Sequence, residues 1–112
     1  LAQDQYNSVV AAYSAYALAT LGEGERAKAR MERTLLIDPD NFNMRYNFGC
    51  ALNVHLKEKE AALAMLGPLF DTISESFLDY AKGDPDLDTL RGDPRFQAKV
   101  AAAEARLAAE QG

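Results

Sequence analysis

Apolar residues recur along most of the chain at helical spacing, and no stretch alternates apolar and polar positions as a half-buried strand does. Glycine and proline divide this pattern into segments. Gly22 ends the first segment, and Pro39 ends the second because the residue before a proline disfavours the helical region. The pattern predicts an all-α fold. Its helices are expected over residues 8–21, 25–37, 41–56, 57–70, 74–82 and 94–109, with a helical turn near 86–90.

Local signals refine three of these helices. Asn7-Ser8 is expected to start the first, since such polar side chains cap helix N-termini. Gly67-Pro68 interrupts the fourth, where a kink or an early end is expected. The last helix has an apolar stripe that would face the core, and polar residues that would face away. The stripe is Phe96, Val100, Ala103 and Leu107, and the polar residues are Gln97, Glu104 and Arg106.

The chain partly repeats itself at an offset of 34 residues. Helix pairs at this period are the pattern of tetratricopeptide repeats. Together with the segments L-G-E-G-E-R-A, L-I-D-P-D-N and Y-N-F-G-C-A-L, the repeat resembles the tetratricopeptide-repeat (TPR) family. The coinciding positions are Ala17 with Ala51, Leu18 with Leu52, Ala27 with Ala61, Met31 with Met65, and Leu35 with Leu69.

The TPR resemblance implies a short right-handed solenoid of antiparallel helix pairs. Small residues would let the helices of each pair touch, with Ala15 against Ala27 and Gly49 against Ala61. The second repeat departs from the family pattern because Ile73 stands where a proline is usual. The implied organisation is one domain over 1–112, with repeats at 8–41 and 42–73 and a C-terminal helical cap at 74–112.

A narrower resemblance concerns the second half of the chain. From Y-N-F-G-C-A-L through A-A-L-A-M-L-G-P-L-F to D-P-D-L-D-T-L-R-G-D-P-R-F, it is similar to the TPR region that follows the catalytic domain of bacterial class III adenylate/guanylate cyclases. This implies a non-catalytic, C-terminal regulatory region of a longer signalling protein, and a first residue other than methionine agrees with a fragment. The metal- and nucleotide-binding residues of that family belong to the cyclase domain, and none maps into this chain.

Composition narrows the choice of partners. The net charge is -5 and no cluster of Lys and Arg stands out, which disfavours nucleic acid as a partner. No apolar run approaches the roughly 18 residues of a membrane-spanning helix, so no membrane partner is expected. The single cysteine cannot form an intrachain disulfide, which is typical of a reducing compartment and favours the cytoplasm.

The segment D-P-D-L-D-T-L-R-G-D-P-R-F begins like a calcium-binding loop. In such a loop counted from Asp84, Thr89 holds the place of the required glycine and Arg95 the place of the closing glutamate. Because an arginine at that place repels the ion, no metal or other cofactor is expected. Asp84 and Asp93 are predicted instead to cap helices, each with a proline at the first helical position.

Catalysis also finds little support in the sequence. Cys50 and His55 are the strongest nucleophile or metal-ligand candidates, but five residues on a helix rotate them onto different faces. No second histidine or cysteine completes a zinc site or a catalytic set. No catalytic residue is therefore predicted.

The predicted partner site is the concave face that the TPR resemblance implies, where the first helix of each pair commonly takes an extended peptide. This face would carry tyrosines and asparagines, which offer apolar contact and hydrogen bonds to a protein or peptide partner. The alternative is that the tyrosines pack against the neighbouring repeat. The residues are Val9, Ala12, Tyr13, Tyr16, Thr20, Asn43, Tyr46, Asn47, Cys50 and Asn53.

Two further hypotheses concern the mode of association. TPR proteins that bind a C-terminal carboxylate use lysines, an arginine and two asparagines, and Asn47 matches one of these asparagines. Such binding is nevertheless not expected, because the places of a lysine and the other asparagine hold Ala12 and Tyr16, and the third helix pair offers Phe77 and Ala81 where cations are needed. Self-association as a homodimer is the alternative function, since two repeats are fewer than the roughly three that usually form a stable array. The N-terminal surface expected to mediate it carries Tyr6, Val9 and Val10.

Overall fold

The computed structural model describes the backbone of residues 2–111 and the side chains of residues 10–111. This part of the chain is all-helical, without a strand, as the apolar pattern predicts. The α-helices are α1 (Ala2–Thr20), α2 (Gly24–Ile37), α3 (Phe42–Val54), α4 (Lys59–Leu66), α5 (Glu75–Gly83) and α6 (Pro94–Gln111). Two 3₁₀ helices, Gly67–Asp71 and Pro85–Leu90, follow α4 and α5 and are called the first and second 3₁₀ helix below.

Helices α1 and α2 form a hairpin around small side chains. Ala15, Ala19 and Ala27 have no solvent exposure, so the two backbones approach closely along their contact. Gly22 ends α1 with a left-handed φ of 79°, and the amide of Glu23 then donates to the carbonyl oxygen of Leu18 at 2.9 Å. The predicted stop at Gly22 is confirmed. The predicted start at Asn7-Ser8 is wrong, because α1 already begins at Ala2.

Helices α3 and α4 form the second hairpin, and α3 also packs on α1. Asn41 caps α3 by accepting a hydrogen bond from the amide of Met44 at 3.1 Å. Gly49 is the point of closest approach in this hairpin. A Cβ at Gly49 would overlap the Leu66 side chain, so the close contact expected at Gly49 exists, but its nearest neighbour is Leu66 rather than Ala61.

The predicted early end at Gly67-Pro68 is confirmed. Helix α4 ends at Leu66, and the chain tightens into the first 3₁₀ helix with Pro68 near its start. Leu69 and Phe70 of this turn are buried, and α6 packs across it. The rings of Phe70 and Phe96 meet edge to face, with their centres 5.5 Å apart.

Helix α6 buries most of its predicted stripe, since Phe96 and Ala103 are buried while Val100 and Leu107 are partly buried. One residue expected to face away does not. Arg106 is half-buried, and its Nη2 donates to the carbonyl oxygen of Ile73 at 2.6 Å. Helical spacing placed its Cα at the rim of the stripe, but its long side chain reaches back to the free carbonyls after the first 3₁₀ helix.

Ion pairs join the beginning of α6 to the beginning of α4. Asp93 caps α6 by accepting from the amide of Arg95 at 2.8 Å, as the sequence predicts. Its carboxylate also lies 3.0 Å from Lys59 Nζ, and the Arg95 guanidinium bridges Asp93 and Glu60. The hydrogen bonds from the Arg95 side chain and backbone, followed by that from Lys59, hold the pKa of the Asp93 carboxyl well below its usual range.

Candidate functional site

An open groove of about 620 Å³ lies beside the contact of α1 and α3. Its volume is within the range of roughly 300–1,000 Å³ that is usual for ligand sites. Much of the predicted concave face lines it. The lining residues are Ala12, Tyr13, Tyr16, Asn41, Asn43, Met44, Asn47, Phe48, Cys50 and Asp86.

Helix α1 contributes the aromatic wall of this groove. Tyr13 is 75% exposed and Tyr16 is 49% exposed, so both rings face solvent rather than the core. Tyr16 is oriented by His55, whose ring meets it edge to face at a distance of 5.4 Å between ring centres. The Tyr13 side chain makes no hydrogen bond to another described residue.

Helix α3 contributes two asparagines to the groove. Asn43 and Asn47 are four residues apart and therefore lie on one face of the helix. Both are exposed, and neither amide side chain bonds another described residue. An amide can donate to a peptide carbonyl and accept from a peptide N–H, so this pair is suited to an extended backbone.

Three other residues of the predicted face are covered by the chain itself. Tyr46, Cys50 and Asn53 are no more than 8% exposed, because the segment around the second 3₁₀ helix packs against α3. The Tyr46 hydroxyl donates to Asp84 Oδ2 at 2.6 Å. Asn53 Nδ2 donates at 2.8 Å to the carbonyl oxygen of Asp86. Of the two interpretations of the tyrosines, packing applies to Tyr46 and exposure to the two tyrosines of α1.

The remaining members of the predicted face lie at the margins of the groove. Ala12 is partly buried at its base. Thr20 is exposed outside the groove, and its hydroxyl donates to the carbonyl oxygen of Ala17 at 2.8 Å. The side chain of Val9 lies outside the described residues, as does that of Tyr6.

The three alternating aspartates have three different environments. Asp84 is buried and caps the second 3₁₀ helix by accepting from the amide of Asp86 at 2.9 Å, which confirms its predicted capping role. Asp88 is exposed and pairs with Arg91. The Asp86 carboxylate is exposed at the groove and makes no ion pair or hydrogen bond with another described residue.

Sequence reasoning missed Asp86 as a groove residue. The alternation at Asp84, Asp86 and Asp88 was visible, but capping explained it without any contact to α3. The signal that could have located Asp86 is the polar Asn53 on α3, which needs a partner if it is buried. That partner is the Asp86 backbone itself.

Cys50 lies beside these aspartates as a protonated thiol. Burial, followed by the negative charges of Asp84 and Asp86, raises the pKa of the Cys50 thiol to about 12. Within residues 10–111 the three side chains form one group whose ligand atoms lie within 4.8 Å of one another. Nucleophilic attack needs the thiolate, which this environment disfavours.

Comparison with known proteins gives no family assignment. No protein-family model, curated protein or solved structure matches the chain. None of the helices in residues 2–111 has the length and apolar character needed to cross a membrane. The groove between α1 and α3 is therefore interpreted from its own chemistry.

Proposed function

We propose that this chain is a non-catalytic, TPR-like interaction module that binds an extended peptide or a partner surface in the groove beside α1 and α3. One observation carries the proposal. Tyr13, Asn43 and Asn47 line an open groove together, and their side chains bond no other described residue.

The binding mode follows from these side chains. Tyr13 and Tyr16 provide two rigid rings, which bury area at a small cost in conformational entropy. Asn43 and Asn47 provide paired donors and acceptors along α3 for a peptide backbone. The partner is thus held by backbone hydrogen bonds on one side and by aromatic contact on the other.

A non-catalytic role is supported by the state of Cys50. At neutral pH its thiol is protonated, because the pKa is about 12. His55 is engaged by the Tyr16 ring rather than by a nucleophile. The proposal accordingly assigns no reaction to the chain.

The parent protein is part of the same proposal. The resemblance to the TPR regions of class III cyclases favours a bacterial, cytoplasmic signalling protein in which this module is the C-terminal regulatory region. The coding sequence upstream of Leu1 tests this. A catalytic signalling domain there supports the proposal, and an unrelated domain overturns this part of it.

Selection of random twelve-residue peptides on the immobilised full chain tests the binding function. Selected peptides should bind the wild-type protein and lose about tenfold or more in affinity to Tyr13→Ala or Asn47→Ala, as for truncated contact residues in other interfaces. Leu36→Ala is the control, because Leu36 is 84% exposed and lies outside the groove. Equal binding to all four proteins would show that the groove is not the site.

Self-association is the second candidate function. Val10 is 50% exposed, Leu36 84% and Ile37 41%, so the hairpin of α1 and α2 presents apolar side chains to solvent. Sedimentation velocity across a range of concentrations tests this candidate. A concentration-dependent dimer that Leu36→Ser removes would support it, and a monomer at the highest concentration would exclude it.

A further inference from the structure

Charge is sparse among the described residues that line the groove beside α1 and α3. Among the described residues that line it, only Asp86 carries a charge, and the others are tyrosine, asparagine or apolar. Its negative charge is unopposed, since no Lys or Arg of the described chain pairs with it. A partner that fills the groove either buries this carboxylate without a counter-charge, which is costly, or brings a cation to it.

The backbone of Asp86 is anchored on both sides of its Cα. The Asp86 amide donates to Asp84 Oδ1 at 2.9 Å, and its carbonyl oxygen accepts from Asn53 Nδ2 at 2.8 Å. Arg91 secures the neighbouring Asp88. Asp86 is thus the only one of the three aspartates whose backbone is anchored on both sides while its carboxylate bonds no other described residue.

Aromatic rings share this groove. Tyr13 and Tyr16 are exposed, and the face of a tyrosine ring attracts the guanidinium of arginine or the ammonium of lysine. Asp84, whose carboxylate lies near that of Asp86, adds a second negative charge behind the groove wall. A cation entering here meets an anion and two rings, whereas an acidic side chain is repelled by the carboxylates of Asp86 and Asp84.

We propose that the partner is an extended basic peptide, which places an arginine or lysine side chain against Asp86 and the tyrosines of α1. This inference rests on the proposed function and specifies the chemistry of the partner. The backbone of the peptide lies along Asn43 and Asn47, whose amides fix its position along the groove. The cationic side chain then determines which peptide sequences bind.

A positional peptide library tests this. Pools of nine-residue random peptides, with the central residue fixed as Arg, Lys, Ala or Glu, are passed over the immobilised full chain. The Arg and Lys pools should be retained more than the Ala pool, and the Glu pool least. Asp86→Asn should reduce the preference for Arg over Ala about threefold to fivefold, as expected for one exposed ion pair.

The matched control is Asp88→Asn. It makes the same change in net charge within the same 3₁₀ helix, but Asp88 lies outside the groove. A preference for Arg that survives Asp88→Asn and falls in Asp86→Asn supports the proposal. A preference reduced equally by both variants reflects only the net charge of -5 and overturns it.

The outcomes also separate this inference from the function on which it rests. Pools that lose binding in Tyr13→Ala and Asn47→Ala, but show no preference for Arg or Lys, overturn the inference and leave the groove as a binding site. Pools that bind Tyr13→Ala and Asn47→Ala with the same affinity as the wild type overturn both the inference and the proposed function. Retention of the Glu pool above the Arg pool assigns the opposite partner chemistry and overturns the inference.

Discussion

Single residues show where the chain accepts unfavourable backbone geometry. Lys57 follows α3 with a φ of 55°, in the left-handed region that glycine occupies at the end of α1. A side chain with a Cβ is strained in this region. The two hairpins therefore use similar turns, but only the first has the residue best suited to its turn.

Replacement of Lys57 by glycine should relieve this strain. We expect Lys57→Gly to raise the free energy of unfolding by about 1 kcal/mol, since the left-handed region costs a non-glycine residue about that much. Urea denaturation followed by circular dichroism measures the change. Gly22→Ala is the complementary control and should lower stability, and a destabilised Lys57→Gly protein would contradict the explanation.

At Gly49 the constraint is space rather than backbone conformation, because the Leu66 side chain already fills the position of a Cβ. Gly49→Ala gains helix propensity, but the added methyl group overlaps a buried side chain across the hairpin. We expect a loss of about 1–3 kcal/mol in the free energy of unfolding. Gly83→Ala is the matched control, since nothing lies within 4 Å of a Cβ there, and it should be neutral or stabilising.

At the scale of elements, the contact between α3 and the second 3₁₀ helix decides the shape of the site. Tyr46 and Asp84 are 38 residues apart in the sequence and form a buried hydrogen bond. Burial and this bond raise the pKa of the Tyr46 hydroxyl above its ordinary range. The contact covers Tyr46, Cys50 and Asn53 of α3 and leaves Asn43 and Asn47 open.

Tyr46→Phe removes this bond while keeping the ring that meets Phe77 edge to face at 5.0 Å. Because Asp84 stays buried without its hydroxyl donor, we expect a loss of about 1.5–3 kcal/mol in the free energy of unfolding. Thermal and urea denaturation measure it. Tyr80→Phe provides the comparison, since Tyr80 is 60% exposed, and equal effects of the two changes would exclude a special role for the buried bond.

At the scale of the whole molecule, titratable groups limit stability at both ends of the pH range. Asp93 and Glu60 have lowered pKa values because of Arg95, so the unfolded chain takes up their protons first as the pH falls. Cys50 has a raised pKa of about 12, so the unfolded chain releases that proton first as the pH rises. Both differences in pKa between the folded and the unfolded chain lower the free energy of unfolding, the first at acid pH and the second at alkaline pH.

The free energy of unfolding should therefore have a maximum between about pH 5 and 8. The carboxylate contribution is complete above about pH 5 and is lost as the pH falls through 4 and below. The thiol contribution is complete below about pH 8 and is lost as the pH rises towards 12. Urea denaturation at each pH measures the free energy of unfolding. Its decrease at acid pH should be smaller in Asp93→Asn, and its decrease at alkaline pH should be smaller in Cys50→Ala. If the free energy of unfolding depends on pH in these variants as it does in the wild type, the dependence comes from other groups.

Much of the fold was predictable from the sequence because its signals act locally. Gly22, Pro39 and Gly67-Pro68 end helices through their own backbone restrictions, and Asp84 and Asp93 cap helices through amides two residues away. The start of α1 was not predictable in this way, because the polar pair Asn7-Ser8 can cap a helix but does not require one to begin. Local signals limit where a helix can begin or end, and packing selects among these positions.

The all-α class, most helix ends and the supply of tyrosines and asparagines on α1 and α3 follow from the amino-acid sequence. Which of these tyrosines and asparagines stay exposed depends on how distant segments pack together. The second 3₁₀ helix buries Tyr46, Cys50 and Asn53 and brings Asp86 to the groove. Such contacts join residues more than 30 positions apart, so they depend on the path of the whole chain rather than on any local pattern.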